Sequence, residues 1–214
     1  MDKSAMVLLE YLCSIIECGD LVTDKHSEHI RRFTELMLDQ IRKFYPDYGL
    51  SAEDCRMIVT ASAMHDVGKI AVPDKILLKP SRLSDDEFQT FQNHTKRGKK
   101  IFDYVLARMD PKDPDYKLFR YCSEICMCHH ERYDGNGYPR GLKGDKIPIS
   151  AQVVGLADSY DSLVGNRIYK SASTKEQAFE MIVEGECGVF STRLLEVFRI
   201  VRLEIEELLE KENK

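Results

Sequence analysis

Apolar side chains recur along most of this chain at steps of three and four, the spacing of one helix face rather than the alternation of a strand. An N-terminal helical segment is predicted over 1–19. Ser4 is placed to cap it, and Val7, Leu8, Tyr11, Leu12, Ile15 and Ile16 fall on one side. Ile30, Phe33, Met37 and Ile41 mark a second helix, from Thr23 to Phe44, which stops before Pro46. Ser51-Ala52-Glu53-Asp54 reads as a capping signal. The helix it opens runs through Met57, Ile58, Ala61 and Met64 to His65-Asp66, where Gly68 is expected to break it. Pro73-Asp74 starts a short helix toward Leu78. Ser84-Asp85-Asp86-Glu87 is a second capping box, and its helix carries Phe88, Phe91 and His94. Ile101 to Met109 also reads helical, until MDPKDPDY breaks it with two prolines. Helices follow at Tyr116 to Cys128, at Ser150 to Val164 and after Thr174. A C-terminal helix over 191–211 carries Leu194, Leu195, Phe198, Val201, Ile205 and Leu208 on one stripe.

No stretch alternates as a strand does. Glycines and prolines fall between helices, and there is no internal repeat, low-complexity tract or long linker. The pattern predicts one all-α domain over 1–214, a helical bundle. A glycine-rich phosphate loop is absent, which argues against a nucleotide-binding α/β sheet.

The longest interruption, His129 to Ser150, reads HHERYDGNGYPRGLKGDKIPIS. Gly135 and Gly137 can take positive φ, with Asn136 between them and Pro139 ending the turn. This predicts a structured glycine-rich loop. His129 and His130 then lie at the helix end that faces it. On a helix, adjacent imidazoles point about 100° apart, which suits two metal ions better than one.

The composition is that of a globular domain, 43% hydrophobic and 31% charged. At 214 residues the chain can bury a sizeable core. A net charge of −5 argues against a nucleic-acid polymer and against a polybasic membrane anchor. An anionic substrate must be held by metals and a few local cations. Seven cysteines without disulfide-like spacing point to a reducing, cytoplasmic compartment. Glu10 and Glu17 interrupt the apolar N-terminus, which is too short and charged for a signal peptide or a membrane span.

The six histidines are His26, His29, His65, His94, His129 and His130. Imidazole together with carboxylate suits divalent transition metals. In a His-Asp dipeptide the histidine caps one ion, while the two carboxylate oxygens bridge a pair. Two such ions about 3.5–4 Å apart share a hydroxide that attacks a phosphodiester. The residue types alone therefore point to phosphoester hydrolysis.

The runs Ala61-Ser62-Ala63-Met64-His65-Asp66-Val67-Gly68-Lys69-Ile70 and Ile-Leu-Leu-Lys-Pro at 76–80 resemble the metal-binding core of the HD superfamily of phosphohydrolases. His129-His130-Glu131-Arg132-Tyr133-Asp134-Gly135-Asn136-Gly137-Tyr138-Pro139 resembles the signature of its HD-GYP branch. Further matches are His94 with Gly98, the run from Ala157 to Leu163, and Arg167-Ile168-Tyr169-Lys170. The resemblance extends from about Asp20 to Phe198. It implies an all-helical cytoplasmic phosphodiesterase that hydrolyses cyclic di-GMP to pGpG or GMP. It also implies two divalent metals, iron or manganese first, with zinc, nickel, cobalt or magnesium as alternatives. Carried over residue by residue, His26, His65, Asp66, His94, His129, His130 and Asp158 are the metal ligands, with Asp66 bridging. Lys69 contacts the scissile phosphate, Arg167 and Lys170 hold the substrate's phosphates, and the loop through Tyr138 shapes the pocket mouth.

His26 is preferred to His29 as the first ligand because Asp20 and Thr23 precede it at the family's spacing. Members with a third metal carry a glutamate four residues before that histidine. Val22 stands there in this chain, which favours two metals. The ordinary alternatives are a local cap or pair for Asp161, small apolar packing for Cys126 and Cys128, a surface lysine for Lys69, and a solvated face for Arg167 and Lys170. Rival functions are hydrolysis of another cyclic dinucleotide, cyclic GMP-AMP, and a non-catalytic cyclic-dinucleotide-binding module. The sequence does not speak to oligomeric state.

Overall fold

The computed structural model describes residues 25–165 and 173–211. The N-terminal segment, Val22, Arg167 and Lys170 lie outside the described residues. Among the described residues every regular element is helical. α1 is His26–Phe44, α2 Ala52–Ser62, α3 Asp74–Leu77, α4 Asp85–Leu106, α5 Tyr116–Cys128, α6 Ile149–Val164, α7 Lys175–Val183 and α8 Thr192–Lys211. Short 3₁₀ turns occur at Pro46–Tyr48, Val67–Ala71 and Gly144–Lys146.

α6 is the axis of the bundle. Every residue from Ser150 to Asp161 is buried, so this helix is enclosed on all sides. α1 and α5 pack directly on it. Ile30, Phe33, Met37 and Ile41 bury as the sequence pattern requires, in one cluster that continues through Ile58, Ile125, Leu156 and Phe198. Each such side chain contributes about 1.5–3 kcal/mol by leaving water. Along α8 the buried stripe is Leu194, Val197, Phe198, Val201, Ile205 and Leu209, so its last turn buries Leu209 in place of Leu208. The helical period drifts relative to a fixed three-four step.

The two expected capping boxes form, and Thr174 opens a third. Ser51 accepts from Asp54 N–H, Ser84 from Glu87 N–H and Thr174 from Gln177 N–H, and in each box the N3 side chain reaches back. The readings over 84–94 and 101–109 merge into the single helix α4, which passes through Gly98 unbroken.

The end of α2 departs from the expectation. The helix stops at Ser62, and Met64, His65 and Asp66 lie in a run of turns before Val67–Ala71. Gly68 therefore breaks nothing. A β-carbon on it would come 1.9 Å from the His94 carbonyl oxygen and 2.5 Å from Gly98 N. The glycine lets the backbone carrying Asp66 and Lys69 lie against the backbone of α4.

Candidate metal centre

Six elements deliver side chains to one buried point. His26 comes from the first turn of α1, and His65 and Asp66 from the turn after α2. Lys69 lies in the 3₁₀ turn, His94 on α4, and His129 and His130 at the end of α5. Asp158 and Asp161 face in from α6.

The imidazoles are aimed by what their outer nitrogens touch. Nδ1 of His65 lies 2.9 Å from Ser62 O, that of His94 2.8 Å from Phe91 O, and that of His129 3.0 Å from Ile125 O. A carbonyl only accepts, so each Nδ1 carries a proton and each Nε2 faces inward. His26 Nδ1 donates in the same way to Asp161 Oδ2 at 2.6 Å. This is the outer-partner arrangement that orients metal-bound histidines.

The inward atoms lack donors among themselves. His26 Nε2 and His65 Nε2 stand 3.4 Å apart. His94 Nε2 is 3.3 Å and His129 Nε2 3.7 Å from Asp66 Oδ1. Asp66 Oδ1, His94 Nε2 and His129 Nε2 are buried with no hydrogen-bond partner. Lone pairs packed this closely away from water require a cation or a proton between them. The donor set fits divalent metal in two groups, His26-His65-Asp66 and Asp66-His94-His129-His130, which share Asp66. Asp158 Oδ1 lies 3.7 Å from His26 Nε2 and 3.9 Å from His65 Nε2, beside the first group.

The electrostatics fit a site built for positive charge. Burial opposes ionisation of Asp66, but the Lys69 ammonium and His65 outweigh it and hold the carboxyl well below the usual range. Burial likewise opposes a charge on His65, yet the neighbouring Asp66 carboxylate outweighs it and raises that imidazole to about 9. Burial lowers His94 to about 4. It also pushes His130 well down, helped by His129 and His94. Lys69 is buried, with Nζ 2.8 Å from Asp66 Oδ2 and 5.8 Å from the centre of the Phe91 ring.

Three sequence expectations change here. His129 and His130 both turn toward the Asp66-His94 group, with ring centroids 4.0 Å apart. His129 already caps α5 and His130 lies beyond it, so the 100° helical offset does not apply. Asp161 is no local cap: it also accepts from His29 Nδ1 at 2.6 Å, so one carboxylate holds two histidines of α1. His29 thus turns to Asp161 while His26 presents Nε2 to His65 and Asp158. In the loop, Gly135 takes positive φ (+90°) but Gly137 does not. A β-carbon on Gly137 would sit 2.3 Å from Arg132 N, so this glycine is there for close approach.

Cys126 and Cys128 are buried, and among the described residues neither joins a group that could hold a metal. Sequence reasoning missed the loop's internal ties. The Glu131 carboxylate accepts from Arg140 N–H (2.9 Å) and Leu142 N–H (2.8 Å), closing the loop. The Arg132 guanidinium donates to Cys187 O, to His129 O and to Ser159 Oγ. The one sequence cue was a pair of charged residues directly after two histidines. Tyr138 lies flat on His130, centroids 4.6 Å apart at 26°.

A helical scaffold around a buried, lone-pair-rich histidine and aspartate cluster defines a metal-binding domain. The chain belongs to the HD domain family, whose model matches residues 18–187. It is similar to a cyclic di-GMP phosphodiesterase of Thermotoga maritima, 35% identical over 96% of this chain and 52% of that protein. It is also similar to 3'3'-cGAMP-specific phosphodiesterase 2 of Vibrio cholerae, 34% identical over 91% of this chain and 34% of that protein. The chain spans about half the length of the first curated relatives it matches, 45% and 52%. Its fold resembles that of an HDG"Y"P protein from Bdellovibrio bacteriovorus, with a TM-score of 0.59 and 17% identity over 88% of this chain and 54% of that one.

Proposed function

We propose that this chain is a cytoplasmic HD-GYP-type phosphodiesterase that hydrolyses cyclic di-GMP to pGpG or GMP. One observation carries the reading. A single carboxylate, Asp66, is common to two adjoining groups of candidate ligand atoms. That is the arrangement a binuclear hydrolytic centre needs.

His26, His65 and Asp158 would hold one ion, and His94, His129 and His130 the other, with Asp66 serving both. Iron or manganese suits this mixture of imidazole and carboxylate best. When bound, the pair supplies Lewis acidity and neutralises a phosphodiester's charge. The chain's own residues do the rest. Asp161 and the backbone carbonyls of Ser62, Phe91 and Ile125 fix the imidazole tautomers. Lys69, held on Asp66, lies where it meets the phosphate being cut and steadies the charge that grows there. Arg167 and Lys170 hold the phosphate that is not cut, and Tyr138 walls the mouth. Incubation with cyclic di-GMP and Mn²⁺ or Fe²⁺, followed by chromatography, tests the reading. The expected result is pGpG or GMP; intact substrate with both metals overturns it.

The likeness to a cGAMP-specific enzyme favours one further reading, that cyclic GMP-AMP is the better substrate. Initial rates on the two dinucleotides under one condition decide between them.

A further inference from the structure

Phe88 is a large apolar side chain left 45% exposed in the first turn of α4. Its position is fixed, because the preceding Glu87 closes the Ser84 capping box and pairs with Lys79. Its ring meets Tyr138 edge-on, with centroids 6.0 Å apart at 78°. Tyr138 in turn lies flat on His130 and stands edge-on to His94 at 6.4 Å. A file of three rings thus runs from the candidate metal ligands out to solvent. Phe91, one turn along α4 from Phe88, carries the Lys69 ammonium over its ring. The cation suited to a phosphate therefore packs over the turn of α4 next to the one that carries the outer aromatic ring.

Single exposed apolar side chains are ordinary. An aromatic file that begins at an anion-handling site and ends in water is a ligand-binding arrangement. The ligand it fits has a flat ring system joined through a short linker to a phosphate. We propose that Phe88 is the outer stacking platform for a nucleobase of the cyclic dinucleotide, with Tyr138 backing it. This inference rests on the phosphodiester reading above. Stacking uses the π-face that every base possesses and ignores its hydrogen-bonding edge. Phe88 therefore adds affinity for guanine and adenine alike, and base choice is made elsewhere.

The test is steady-state kinetics of the full chain, loaded with Mn²⁺, on cyclic di-GMP and cyclic GMP-AMP. Phe88→Ala should raise KM roughly 5- to 150-fold, the range of one lost base stack. Its kcat should stay within about twofold, because a stack contributes equally to ground and transition states. Phe88→Leu, which keeps apolar area without the π-face, should show most of the loss, and Phe88→Trp should restore KM. The rise should be alike for both substrates. If Phe88→Ala leaves KM unchanged, or if leucine restores it as well as tryptophan does, the platform is wrong while the phosphodiesterase stands. Wild-type protein that cleaves bis(4-nitrophenyl) phosphate but neither dinucleotide overturns the substrate class and the platform together.

Discussion

Asp54 and Asp66 are carboxylates near the two ends of α2, one buried and one with a buried Oδ1, and the protein treats them in opposite ways. Asp54 is saturated. Its Oδ2 accepts from Ser51 N–H (3.1 Å) and Ser51 Oγ (2.7 Å), and its Oδ1 from Tyr121 Oη (2.8 Å) and the Lys117 ammonium. Asp66 is left half-made. Lys69 takes Oδ2, while Oδ1 is buried among imidazole nitrogens that offer it no proton. A satisfied acid holds a fold together. An unsatisfied acid is tolerated only where something outside the chain completes it.

The sharpest way to break the comparison is to delete the second acid. Asp66→Ala should lower phosphodiesterase activity at least about a thousandfold, the scale of losing a group aimed at the reacting centre. Its thermal midpoint without added metal should fall, since the buried Lys69 ammonium loses its ion pair with Oδ2. An active variant would mean that Asp66 takes no part in the chemistry. Lys69→Ala comes next, with kcat down about 100- to 1000-fold and KM little changed. A change confined to KM would make Lys69 a docking residue.

A smaller effect belongs to Asp161, which acts only through histidines. Asp161→Asn removes one of two acceptors and should weaken metal binding about 10- to 100-fold, read by metal titration. His26→Ala should cost more metal than His29→Ala, because His26 Nε2 faces His65 and Asp158. The reverse order would exchange their roles.

The least effect on activity is expected at Asp54, where stability moves instead. Asp54→Asn should lower unfolding free energy by about 1–2 kcal/mol at pH 7 and leave turnover intact. Burial opposes the Asp54 charge, but Lys117, Ser51 and Tyr121 outweigh it and hold the folded carboxyl well below its usual range. A depressed acid stabilises the fold above its unfolded value, about 3.9, and loses that stabilisation as pH falls toward the folded one. The gap between wild type and Asp54→Asn in denaturant titrations should therefore narrow below about pH 4. A constant gap from pH 7 to pH 3 would show that hydrogen bonding to the neutral acid is enough.

The helices were legible in the sequence because their causes are local. Three capping boxes and the stripe of Ile30, Phe33, Met37 and Ile41 act within a few residues of each other. The convergence of the histidines entered through a motif resemblance, and their spacing alone wrongly sent His129 and His130 to different ions. What stayed hidden depends on contacts between distant parts of the chain. Asp161 looked like a local cap because its partners lie 135 and 132 positions away on α1. Gly68 looked like a helix breaker because its function is set by a carbonyl on α4. Phe88 read only as an apolar position of its helix, and its partner, Tyr138, comes from the distant loop.

Gly68 also bears on how such a site tolerates change. The peptide that carries Asp66 and Lys69 rests on the peptide that carries His94, main chain against main chain. The gap between two sources of ligand atoms is therefore set by backbone thickness, which side-chain substitutions elsewhere leave alone. Residues of the apolar interior should accept exchange with little drift in catalytic geometry. Position 68 should accept almost none, since even a methyl group would wedge the two peptides apart. In a saturation screen scored by activity, Gly68 would rank with Asp66, although it touches no reacting atom.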